Sequence, residues 1–125
     1  MDPDQADRFW TDIREQTDPF FSGGGPLWRL SVKSTMPPLA LPGSSLIEWG
    51  GALRWIKSDA DEKTIRQAAR GGNGHATLIR AAPDVRAAVE VFQPLEPGLE
   101  KLSRRLKAAF DPAGILNPGR MYPGF

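Results

Sequence analysis

The chain has 125 residues, enough for one modest core but too few for a dinucleotide-binding domain beside a separate substrate domain. Thirteen glycines and twelve prolines call for many turns, while 40% hydrophobic residues with four Trp and six Phe suit a folded chain. A formal charge of +1 gives no strong field for nucleic acid, so no nucleic-acid partner is expected. The absence of cysteine excludes disulfides, thiolate zinc, iron–sulfur ligation and a cysteine nucleophile, and a lone His75 excludes a multi-histidine metal site.

Residues 3–17 predict a helix. Ala6, Phe9, Trp10 and Ile13 fall on one face at helical spacing, Pro3 suits the first turn and Pro19 stops it. Gly23-Gly24-Gly25 is a break. From Trp28 to Lys33 the pattern alternates, with Trp28, Leu30 and Val32 on one side and Arg29, Ser31 and Lys33 on the other, as in a half-buried strand. The prolines of 35–44 forbid a regular helix and predict an extended connection. Leu46–Trp49 and Ala52–Lys57 around Gly50-Gly51 predict a hairpin with a two-residue turn and Trp49 near Trp55 across the pair.

A second helix is expected over 60–70, with Asp59 and Glu62 at capping-box spacing. Gly71-Gly72-Asn73-Gly74 ends it. That run is no phosphate loop, because it lacks the Lys-Ser/Thr ending and follows a helix. His75–Arg80 reads as a strand, and 84–92 as a helical turn followed by extended chain. Residues 97–110 form the clearest helix, opened by Pro97 and closed by Pro112. Leu99, Leu102, Leu106, Ala109 and Phe110 share a face, and Glu100 is spaced to pair with Arg104. This order predicts an α+β fold: a small, mostly antiparallel sheet with helices packed on one face.

Charge is uneven. Residues 1–20 carry six acids against two bases, and residues 96–125 carry five bases against three acids. No apolar run is long enough to cross a bilayer, and no signal segment opens the chain, so a cytoplasmic location is expected.

The tail from Phe110-Asp111-Pro112 through Asn117-Pro118-Gly119-Arg120 resembles the C-terminal signature of FAD-linked oxidases of the vanillyl-alcohol oxidase and p-cresol methylhydroxylase superfamily. Leu27–Val32, Pro38–Gly43, Glu48–Ala52 with Arg54-Trp55, and Gly74–Leu78 are similar to the E-type, FAD-binding subunit of glycolate oxidase. The resemblance runs from Phe9-Trp10 to Tyr122. It implies that residues 1–125 form one cap domain of ferredoxin-like type, with the FAD-binding domain lying upstream and absent from this chain. It implies FAD as cofactor and oxidation of a 2-hydroxy acid, glycolate to glyoxylate, in the complete subunit. This piece alone is expected to be inactive and to hold little or no FAD. Partners implied are the missing FAD-binding domain, the D-type flavin subunit and the iron–sulfur subunit, with peripheral attachment to the inner membrane through that complex. A bared apolar face would also favour self-association.

By resemblance Asn117, Gly119 and Arg120 are the cofactor-contact candidates. The Asn117 amide suits flavin ring edges, Gly119 allows close backbone approach, and Arg120 suits phosphate or carboxylate. Asp111 and Pro112 read as helix-stop residues. Arg29 and Arg54 are candidates for holding a hydroxy-acid carboxylate, and His75 for general base, against the plainer reading of exposed strand residues. The four tryptophans are expected to pack. The alternative to a flavin cap is a non-catalytic assembly module that docks the partner subunits.

Overall fold

A computed structural model describes residues 2–125. Helix α1 (Pro3–Glu15) is followed by strand β1 (Leu27–Ser31), β2 (Ser44–Glu48), β3 (Leu53–Lys57), helix α2 (Glu62–Gly71), strand β4 (His75–Arg80), and helices α3 (Pro83–Ala88) and α4 (Pro97–Phe110). The four strands form one sheet in the order β2-β3-β1-β4, with antiparallel pairing throughout. The α+β class and the antiparallel sheet are as the sequence leads one to expect.

Both faces of the central strands are used. Trp28 pairs with Ile56 and Leu78, and Leu30 with Arg54 and Ala76, so these side chains share a face. That face is covered by Ile65 and Ala69 of α2, whose apolar stripe is fully buried there. On the opposite face Leu27, Leu53 and Trp55 meet Ile13 and Phe21 in a second, smaller core. Phe21 stands edge-on to Trp55, ring centres 5.3 Å apart. The helices therefore do not all share one side of the sheet: α2 covers one face, while the end of α1 and the turn Pro19–Phe21 reach the other.

The second core covers only part of its face. Arg29 pairs with Thr77 and Ser31 with His75, which places all four on that side. Arg29, Ser31 and His75 are exposed and Thr77 is half-buried.

Local chemistry explains most element ends. Asp2 and Gln5 form a reciprocal cap on α1, with Pro3 in its first turn. On α2 the cap is Asp61 rather than the expected Asp59. Its carboxylate accepts from Thr64 N at 3.0 Å and Thr64 Oγ1 at 2.5 Å, a pairing that Thr64 offers and Glu62 does not. These bonds, the Thr64 hydroxyl first, hold the Asp61 carboxyl below its ordinary range.

The β2–β3 connection differs from a two-residue turn. Glu48 pairs with Leu53, so Trp49 to Ala52 form the loop, with Trp49, Gly50 and Gly51 all at positive φ. Trp49 is left 79% exposed, and Trp55 lies opposite Leu46 instead. Gly51 is required because an added Cβ would stand 2.6 Å from the Ser34 carbonyl oxygen. The segment after α3 is extended as expected, with Leu78 N bonding Val91 O at 2.9 Å and Thr77 bridging Phe92.

Helix α4 has the expected bounds, and Arg104 pairs with Glu100 at 2.8 Å. None of its residues is buried. Leu99, Leu102, Leu106 and Phe110 all face outward, as do Phe9 and Trp10 of α1. The sequence marks these stripes as packing faces, yet among the described residues they stay largely exposed.

Candidate functional site

The tail after α4 is folded back rather than splayed. Its first anchor is Asp111, which is buried at the helix end. One carboxylate oxygen accepts from Lys107 Nζ at 2.6 Å and Leu116 N at 2.9 Å, and the other from Ile115 N at 3.1 Å. Lys107 also donates to the Leu116 carbonyl. The Lys107 ammonium, then the backbone N–H of Leu116 and Ile115, hold the Asp111 carboxyl below the usual carboxylate range against a smaller opposing effect of burial. Asp111 thus stops the helix and also wraps the loop that leads to Asn117.

The second anchor is aromatic. Tyr122 lies 5.9 Å from Phe92 and 5.4 Å from Phe125, ring centre to ring centre. Arg104 stacks over Phe125 at 4.4 Å and donates to the Gly124 carbonyl at 2.7 Å. Gly119 N bonds Phe125 O at 2.7 Å. Phe92 bridges to β4, so the tail is held against the outer edge of the sheet.

Between these anchors Asn117 sits at φ 47° and Gly119 at φ 68°, both exposed. Asn117 tolerates this left-handed conformation better than most side chains. Among the described residues neither the Asn117 amide nor the Arg120 guanidinium has a side-chain hydrogen bond or ion pair within the chain. This donor set, an amide and a guanidinium on a tight backbone with free donors, is chemically suited to the polar edge of a flavin or to an anion.

The strand candidates separate. Arg54 is 4% exposed and faces α2, where it donates to the carbonyls of Gly51 at 3.1 Å, Pro37 at 2.7 Å and Met36. Its two terminal nitrogens tie the proline-rich connection to the sheet, and Nε ties the β2–β3 loop. Arg29 stands on the opposite, open face with Ser31, Thr77 and His75. Arg29 and His75 are diagonal neighbours, about 7 Å apart at the backbone by sheet geometry. Arg120 lines a different cleft, between residues 86–92 and the tail, which includes neither Arg29 nor His75.

Three features escaped the sequence reading. The buried wrap around Asp111 depends on a bend of the loop that spacing does not show. Glu48 accepts from the Trp55 indole at 2.6 Å, a link set by the longer hairpin loop. Arg86 lines the same cleft as Arg120, although 34 positions separate them in the chain. Among the described residues no cluster of His, Cys, Asp and Glu could hold a metal ion, and no helix is long and apolar enough to cross a membrane.

Residues 85–121, which include the Asp111 wrap and the exposed Asn117–Arg120 turn, match the model of the FAD linked oxidases, C-terminal domain. Over 117 residues, 94% of the chain, it is 47% identical to glycolate oxidase subunit GlcE of Escherichia coli (strain K12). It covers 32% of that protein, about a third of the length of the curated relative it matches. No solved structure matches. The resemblance drawn from the sequence is thus borne out: residues 85–121 match the C-terminal domain of FAD linked oxidases, and nearly the whole chain is similar to part of glycolate oxidase subunit GlcE.

Proposed function

We propose that this chain is the cap portion of a flavoprotein subunit that oxidises a small 2-hydroxy acid, glycolate to glyoxylate by likeness to GlcE, over a flavin held by an FAD-binding domain elsewhere in the protein. The observation that carries this reading is the 47% identity to GlcE across nearly the whole chain, joined to a folded-back tail whose Asn117 amide and Arg120 guanidinium are exposed and, among the described residues, without a side-chain partner. Bound FAD would accept the electron pair when the α-carbon loses hydride and the hydroxyl loses its proton. Asn117, Gly119 and Arg120 would border that flavin. Arg29 on the open sheet face would hold the substrate carboxylate, and His75 beside it would receive the hydroxyl proton. The cap excludes water from the space between. Arg54 is left out of this reading, since it is buried and each of its three nitrogens donates to a backbone carbonyl of the chain.

The test is anaerobic mixing of the flavin-bearing protein with glycolate, followed by flavin absorbance. Bleaching is expected. A flavin that no small 2-hydroxy acid bleaches would contradict the reading. A second reading, a docking module for partner subunits, is favoured by one observation: the α4 stripe of Leu99, Leu102, Leu106 and Phe110 stands bare. Under it, glutamate at Leu102 or Leu106 would abolish capture of the other oxidase subunits while flavin content and bleaching stay unchanged.

A further inference from the structure

Two helices of the chain carry apolar stripes that stay exposed. On α1, Phe9 and Trp10 brace each other edge to face at 5.2 Å on the surface, while Ile13 one turn on is buried in the smaller core. On α4, Leu99, Leu102, Leu106 and Phe110 are each at least half exposed. The helices are matched in length, 13 and 14 residues, or about 20 Å of axis each. They differ in charge. Helix α1 carries Asp4, Asp7, Asp12 and Glu15 against Arg8 and Arg14, and α4 carries Lys101, Arg104, Arg105 and Lys107 against Glu100. Part of this charge is satisfied within the chain: Arg14 pairs with Glu15, Asp12 accepts from Thr17, Arg104 pairs with Glu100, and Lys107 with Asp111. Among the described residues, Asp4, Asp7 and Arg8 on α1 and Lys101 and Arg105 on α4 have no ion pair and no side-chain hydrogen bond. Asp7 lies one turn before Trp10. Lys101 and Arg105 are one turn apart and adjoin Leu102 and Leu106 in the chain.

We propose that the chain associates with a second copy of itself by seating the acid-edged aromatic face of α1 on the base-edged leucine face of α4 of the other copy. Two α4 stripes laid together would bring the unpaired Lys101 and Arg105 of both copies to one seam, and two α1 stripes would do the same with Asp4 and Asp7. The unlike pairing buries the same kind of apolar surface and sets opposite charges along its edges, so charge selects it. One helix pair covers less than the roughly 1,200 Å² of a standard stable interface, so association is weak and concentration-dependent. This surface involves neither the tail turn nor the open sheet face, and goes beyond the cap reading.

The test is sedimentation of the chain over a range of concentrations, with Trp10→Glu and Leu102→Glu each alone and then mixed in equal amounts. The parent should associate. Each variant alone has lost one of the two faces and should remain monomeric, while the mixture should form one-to-one pairs, because the intact α1 of Leu102→Glu meets the intact α4 of Trp10→Glu. All replaced side chains are exposed, so urea midpoints should coincide with the parent. A second pair of substitutions leaves the apolar stripes untouched. Lys101→Gln with Arg105→Gln should weaken association about tenfold, whereas like-with-like α4 pairing would be strengthened by it. A monomeric parent at every concentration would overturn the proposal and leave these stripes to a different polypeptide. So would Trp10→Glu associating as the parent does, a mixture that stays monomeric, or tighter association of the Lys101→Gln, Arg105→Gln variant. None of these outcomes bears on whether glycolate bleaches the flavin, so this inference and the cap reading fail separately.

Discussion

Arg29 and Arg54 sit on neighbouring strands and carry the same group into opposite environments. Strand β3 is buried on both faces over Leu53–Ile56, so its alternation carries no direction in the sequence; only the pairing of Arg54 with Leu30 and of Arg29 with Trp55 assigns the sides. Arg54→Met should cost about 3 kcal/mol in urea unfolding, because three carbonyl acceptors lose charged donors inside the protein. Arg29→Met should stay within about 0.5 kcal/mol, and in the flavin-bearing protein should raise the KM for the hydroxy acid. Asp111 is the other residue whose role depends on a fold the spacing does not reveal. It reads as a helix stop and becomes the hub of the loop before Asn117. Its carboxyl is held below the ordinary range, so the wrap is fully stabilised above that range and is lost as pH falls through the lowered value. Hydrogen exchange at the Ile115 and Leu116 amides should therefore quicken in Asp111→Asn at neutral pH, and in the parent only under strongly acid conditions. Equal protection in parent and variant would show that the carboxylate does not hold the loop.

Elements with one strong period were legible, and those set by close approach were not. Helix α4 and strand β4 have the expected bounds, because prolines and glycines punctuate them and one period dominates each. In the β2–β3 turn Gly50-Gly51 looks like a complete two-residue turn, but pairing ends at Glu48 and Leu53, Trp49 also takes a positive φ, and Gly51 packs closely against Ser34. Gly74 shows the same constraint at the start of β4. A Cβ there would collide with the Ser31 carbonyl oxygen. Gly74→Ala should therefore destabilise by about 3 kcal/mol, at the upper end for forced overpacking, and Ile65→Ala beneath α2 by about 2–5 kcal/mol. Urea midpoints at constant slope would check both. Conversely, the apolar period of α4 is real but points away from this chain's core. Leu102→Glu should leave the midpoint within about 0.5 kcal/mol and reduce self-association in sedimentation runs; strong destabilisation would mean that the stripe packs internally after all.

At the scale of the molecule, two cores on opposite faces of one sheet leave several surfaces exposed among the described residues, including the Arg29–His75 side of the sheet, the α4 stripe, and the Asn117–Arg120 turn with its cleft. The sequence announced the turn through its motif and the strand residues through alternation. It did not announce that these lie apart, since their separation follows from the aromatic anchoring of the tail to the β4 edge. The account holds that the turn borders a flavin carried by another part of the protein. The most direct check is the flavin retained per polypeptide after purification of the flavin-bearing protein with Asn117 and Arg120 both replaced by alanine, beside the parent and Leu102→Glu. The account predicts that the double variant folds, is recovered largely colourless, and differs from both controls. Full flavin content in the double variant would contradict it.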